Sequence, residues 1–153
     1  MIIGVYKTLL QENKIPMLVK ENEFSLSGKK FCSPEVVFDL MKAKFQITMN
    51  TEEFVYELCF DTKLNLIGVF EISHGTINSS ITSSREVYQK ALMIGAAGII
   101  LVHNHPSGDT EPSMQDIDTA KMVYEAGKIL GISLVDFIIV GDNYYSFRKE
   151  NIF

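Results

Sequence analysis

His103-Asn-His-Pro-Ser-Gly-Asp-Thr-Glu-Pro-Ser-Met-Gln-Asp116 is the stretch from which the rest of the chain can be placed. Before it runs Ala96-Ala97-Gly98-Ile99-Ile100-Leu101-Val102. That continuous, β-branched apolar run predicts a strand buried on both faces. After it, Ser113 opens a segment with apolar or small residues at Ile117, Ala120, Val123, Ala126, Gly127 and Leu130. This spacing predicts a helix packed along one side. The stretch is therefore a strand end, a Gly/Pro loop and a helix start. Side chains two apart on a strand share a face, so His103 and His105 point the same way. Asp116 lies three residues after Ser113, in the first helical turn. Two imidazoles and a carboxylate are expected to converge on one point.

Those are the donors of a catalytic zinc site, which uses three protein ligands and leaves a fourth position for water. Two neutral imidazoles and one carboxylate leave the ion net positive, so nearby water ionises at a pKa of about 7 in favourable cases. A plainer reading makes Ser113 an ordinary helix cap, with Asp116 as its partner and the histidines satisfied by hydrogen bonds. The joint spacing through Pro106, Gly108 and Pro112 favours the metal.

The pattern His-x-His-Pro-x7-Ser-x2-Asp resembles the JAMM motif of JAB/MPN metalloproteases. The longer string His-Asn-His-Pro-Ser-Gly followed by Pro-Ser-x-x-Asp resembles the bacterial RadC branch. The similarity takes in Glu53 to Asp61, Gly75-Thr76, Arg85-Glu86-Val87, the motif and Asp136, and fades before about Ser33. It implies that His103, His105 and Asp116 hold one Zn²⁺, that Ser113 helps hold the oxyanion, and that an upstream glutamate is the acid/base. Glu53 is the choice, because the family carries a glutamate before the strand that ends in an aspartate, here Asp61. Glu52 is its adjacent rival. Glu86 sits at a helix start, where a carboxylate gains from the dipole. Glu71 is expected to face solvent. The fold implied is α/β (α+β): a curved mixed β-sheet flanked by helices, the JAB/MPN, cytidine deaminase-like architecture. Zinc deaminases themselves draw ligands from a Pro-Cys-x-x-Cys segment, which this chain lacks.

The chain has 153 residues, 46% of them hydrophobic, enough for one domain with a core. We divide it into an irregular arm over 1–32, with one short strand and turn, and a domain over 33–153. Net charge is −5 and the pI about 5.2. A free-standing DNA binder needs a basic footprint that this balance does not offer. Cys32 and Cys59 stand apart and are expected to be free thiols in a reducing compartment. No stretch is long and apolar enough for a signal core or a membrane span, so a cytoplasmic setting without a membrane partner is expected.

Ser33-Pro34-Glu35 predicts a helix start, continued to about Phe45. Phe54 to Phe60 and Leu66 to Ile72 predict a hairpin around Asp61-Thr62-Lys63-Leu64-Asn65. Ile77 to Ile81 reads as a third strand. Ser84 is expected to cap a helix that stops at Gly95, and Gly131 to end the motif helix. Ser133 to Val140 and Tyr144 to Phe147 read as strands around a Gly141-Asp142-Asn143 turn.

The smaller assignments follow from place. Asn104 points away from the histidines and is expected to fix the loop rather than bind metal. Ser107 and Gly108 shape that loop. His74 is expected in an exposed turn. Asp136 is expected to orient a ligand histidine as a hydrogen-bond acceptor. The RadC pattern often has histidine next, where this chain has Phe137. Three functions compete: a zinc-dependent hydrolase of peptide or isopeptide bonds in a peptide or protein substrate, a DNA-repair or recombination accessory, and a metal-free scaffold. About thirty residues precede the first clear helix, so the helix-hairpin-helix segment of longer RadC proteins is expected to be missing.

Overall fold

The computed structural model describes residues 1–26, 33–75 and 83–153. Its strands are β1 (Ile2–Leu10), β2 (Pro16–Ser25), β3 (Glu53–Phe60), β4 (Leu66–Gly75), β5 (Gly98–Asn104), β6 (Ser133–Val140) and β7 (Tyr144–Ser146). Its helices are α1 (Pro34–Phe45), α2 (Ser84–Ile94) and α3 (Met114–Leu130). The strands form one mixed sheet in the order β2-β1-β4-β3-β5-β6-β7. β1 runs parallel to β4 and β5 parallel to β6; the other neighbours are antiparallel. The motif strand β5 is buried at every residue, as its unbroken apolar run requires of a central strand.

Alternation along β5 divides the core. Ile100 and Val102 face Val37, Leu40 and Met41 of α1. Ile99 and Leu101 face Val87, Tyr88 and Ala91 of α2 and Ala120 and Val123 of α3. One helix covers one face and two cover the other, the α/β arrangement expected of the JAB-like pattern. Irregular register at Val55/Tyr56, Cys59/Phe60 and Ile99/Ile100 interrupts the central ladders; such bulges bend a strand and sharpen its twist.

The hairpin turn between β3 and β4 is built by Asp61, whose carboxylate accepts the backbone N–H groups of Lys63 and Asn65. α2 stops at Gly95 (φ 74°) and α3 at Gly131 (φ 70°), where a side chain would strain the left-handed backbone. Several expectations are corrected. The N-terminal arm is not irregular: it is a hairpin of two long strands, and β1 joins the sheet through Gly4, Val5 and Tyr6 against Gly68, Val69 and Phe70. β4 runs on to Gly75, so His74 lies in a strand rather than a turn. The N-cap of α2 is Ser83, not Ser84. The strand expected at Ile77–Ile81, and Cys32, lie outside the described residues. Cys59 is a buried free cysteine. No helix among the described residues is long and apolar enough to cross a membrane.

Candidate metal centre

His103 stands at the end of β5 on the face toward α2 and α3, and His105 follows just beyond it. Backbone pairing continues there, since the His105 N–H donates to the Val140 carbonyl at 2.8 Å. The chain then turns sharply. The Gly108 N–H donates to the His105 carbonyl at 3.0 Å, and Gly108 has φ 86°. Gly141 lets β6 approach this turn: a Cβ there would lie 2.2 Å from the Gly108 carbonyl oxygen. The loop returns to Ser113, which caps α3 and brings Asp116 back beside the histidines.

That cap is reciprocal. The Ser113 hydroxyl accepts the Asp116 N–H at 3.2 Å, while Asp116 Oδ2 accepts the Ser113 N–H at 2.8 Å and the Ser113 hydroxyl at 2.6 Å. The plain cap and the site are thus one arrangement, because the cap fixes the carboxylate that faces the imidazoles. His103 Nε2 lies 3.6 Å from Asp116 Oδ1, and His105 Nε2 lies 3.5 Å from Asp116 Oδ2. The imidazole rings are 5.0 Å apart and nearly perpendicular. Donor atoms from His103, His105 and Asp116 lie within 4.8 Å of one another, so this buried or half-buried group can hold a metal ion.

Ring orientation supports that fit. His103 Nδ1 is 2.9 Å from the Phe54 carbonyl, and His105 Nδ1 is 2.8 Å from the Asp109 carbonyl. A carbonyl only accepts, so each ring carries a proton on Nδ1 and the neutral form offers its Nε2 lone pair inward. These backbone acceptors were not visible in the sequence. The role expected for Asp136 is corrected: its carboxylate takes the Ser146 hydroxyl and the Arg148 N–H, and so ties β6 to the C-terminal segment instead of orienting a histidine. Burial favours a neutral Asp116, but His105 and Ser113 outweigh it and hold the carboxyl at about 2. Asp116 in turn raises the His105 pKa against the opposing effect of burial.

Glu53 begins β3 beside this group, its Oε2 3.8 Å from His103 Nε2 and its side chain about a quarter exposed. Glu52 is exposed. Asn104 is almost wholly buried; its Oδ1 accepts the Phe54 N–H at 2.6 Å and its Nδ2 donates to the Glu52 carbonyl at 3.0 Å. Ser113 is exposed at the rim. His74 is exposed, pairs with Glu71 at 2.6 Å and stacks on Phe54.

Comparison with known proteins agrees with this geometry. The sequence model of the RadC-like JAB domain matches residues 31–152. A UPF0758 protein of Methanosarcina barkeri is 42% identical over 125 residues, which is 82% of this chain and 54% of that protein. One from Clostridium acetobutylicum is 40% identical over 126 residues, again 82% of this chain and 54% of its own length. One from Methanococcoides burtonii is 48% identical over 99 residues, 65% of this chain and 43% of that protein. The chain spans about half the length of the curated relatives it matches.

Proposed function

We propose, since this chain belongs to the RadC-like JAB domain family, that it is a zinc-dependent hydrolase of peptide or isopeptide bonds. The observation that carries the reading is the convergence of His103, His105 and Asp116, with a second carboxylate, Glu53, 3.8 Å from His103. Nitrogen and carboxylate donors in this number suit zinc. His103, His105 and Asp116 would hold it. When bound, it would polarise the scissile carbonyl and lower the pKa of the attacking water.

The remaining steps belong to the chain's own groups. Glu53 takes the proton that the water loses as its oxygen bonds to the carbonyl carbon. It passes that proton to the amide nitrogen as the carbon–nitrogen bond breaks. The products are a carboxylic acid and an amine. Ser113 reaches the developing oxyanion from the rim by turning its hydroxyl away from Asp116 Oδ2, and its backbone N–H still holds the carboxylate in place.

Elemental analysis should find a single zinc per chain. Cleavage of a peptide library should stop on chelation and return with zinc. Glu53→Gln should lower kcat by about 10²–10⁴-fold with zinc retained. Full zinc occupancy with no cleavage of peptides or isopeptides would overturn the proposal.

A further inference from the structure

We propose that Asn104 is a positioning residue for Glu53. Its side-chain amide acts as a peptide-like splint that holds the start of β3 at a fixed distance from the metal ligands. The proposal rests on the reading of Glu53 as the proton carrier.

The argument begins where the ladder between two strands ends. β3 and β5 pair from Phe60/Gly98 up to Val55/His103 and no further. Beyond that point β5 keeps only its pairing with β6 on the opposite edge, with Asn104 opposite Val140. Glu53 and Phe54 retain backbone partners on their other side, Gly75 and His74 of β4. On the β5 side the Phe54 N–H and the Glu52 carbonyl would be left open. A carboxamide carries one donor and one acceptor group in a fixed plane, as a peptide unit does. Asn104 uses both: oxygen to the Phe54 N–H, nitrogen to the Glu52 carbonyl. The two bonds fall on the residues immediately before and after Glu53.

The preceding residue adds a third bond, from His103 Nδ1 to the Phe54 carbonyl. Adjacent residues of β5 therefore grip residues 52–54 while His103 presents Nε2 to the site. Glu53 is left as the partly exposed side chain of a gripped segment. Near-complete burial of Asn104 excludes the water that would otherwise satisfy these groups and compete for them. Asparagine fits where aspartate would not, because an ionised carboxylate only accepts and would face the Glu52 carbonyl with no donor.

The test uses the full chain with Asn104→Ala and Asn104→Asp, and Ile100→Ala as a control. Ile100 lies in the same strand, away from the site, and its loss weakens the fold without touching residues 52–54. Asn104→Ala should speed amide exchange of Phe54 by about tenfold or more relative to its neighbours. With cobalt(II) as the probe, the metal-induced shift of the Glu53 side-chain carbons should shrink while cobalt affinity stays near that of the wild type. kcat should fall by roughly 10–100-fold with KM held, the scale expected of a displaced catalytic group. Asn104→Asp should keep Phe54 protected, since it keeps the acceptor, yet still lose kcat. Ile100→Ala should lower the melting temperature and leave both Phe54 exchange and the cobalt shift unchanged. Unchanged Phe54 exchange or an unchanged Glu53 shift in Asn104→Ala overturns the splint, as does an equal loss in Ile100→Ala. A wild type that cleaves nothing, with exchange and shift still responding to Asn104→Ala, overturns the hydrolase and upholds the splint.

Discussion

Glu57 is a carboxyl group sealed inside the sheet on the α2 side, with neither oxygen bonded to a partner among the described residues. Burial pushes its pKa from the usual 4.5 to about 8, opposed by the Cys59 thiol and Lys90. The folded chain thus keeps a proton that the unfolded chain releases, so stability falls as pH rises from about 4.5 to about 8 and levels off above. Urea unfolding at pH 5 and pH 8 should show that loss, and Glu57→Gln should flatten it. Glu57→Leu should gain about 1–3 kcal/mol at pH 8, by removing an unsatisfied buried acid. At the site, Asp116→Asn should lower zinc affinity by more than about 100-fold, since even an outer hydrogen-bond partner of a ligand is worth 10–100-fold; calorimetric titration measures it. The convergence of His103, His105 and Asp116 was legible because the two-residue strand period and the helix cap fix their directions locally. The bonds that orient them were not, because the Phe54 and Asp109 carbonyls are backbone atoms and carry no mark in the residue sequence. Asp136 misled for the same reason: a buried acid in a strand announces a need for partners and does not say which.

At the scale of single elements, α3 carries two tests. Its cap can be separated from any chemical role of the same hydroxyl. Ser113→Ala should cost about 1 kcal/mol of stability and Ser113→Gly only a few tenths, while both delete the oxyanion donor. Equal losses of kcat in the two variants, against unequal melting temperatures, assign the hydroxyl to the reaction. Further along, the Tyr88 hydroxyl crosses from α2 to donate to the Val123 carbonyl at 2.8 Å. A Cβ on Gly127 would lie 2.3 Å from that hydroxyl and 2.4 Å from the Ile132 carbonyl. Helix propensity alone predicts that Gly127→Ala stabilises by about 1 kcal/mol. The crowding reverses the sign, and thermal melting should show a loss of about 1–3 kcal/mol. The central elements were readable from their periodicity and their Gly stops. β2 was not: Lys20, Glu21, Asn22 and Glu23 make it polar, as suits an edge strand that must not recruit another chain, and that same polarity hides it from a search for apolar alternation.

The whole molecule joins a central motif to a hairpin at its margin. Layer order was inferable from the alternation of helical and strand patterns, whereas the place of β1 beside β4 depends on a three-residue parallel contact between distant segments. Such pairings are decided by the assembled sheet. Zinc at about 100 times its Kd should raise the unfolding free energy by about 2.7 kcal/mol, a rise of roughly 5–10 °C in Tm for a chain of this size, and chelation should reverse it. The candidate donors come from residues 103–116, a short contiguous stretch, whereas Glu53 reaches them only through the long-range ladder between β3 and β5. Asp116 is set by the local helix cap, but the Phe54 carbonyl orients His103 and the Val140 carbonyl holds the His105 backbone, so the cluster takes its geometry only once distant strands have paired.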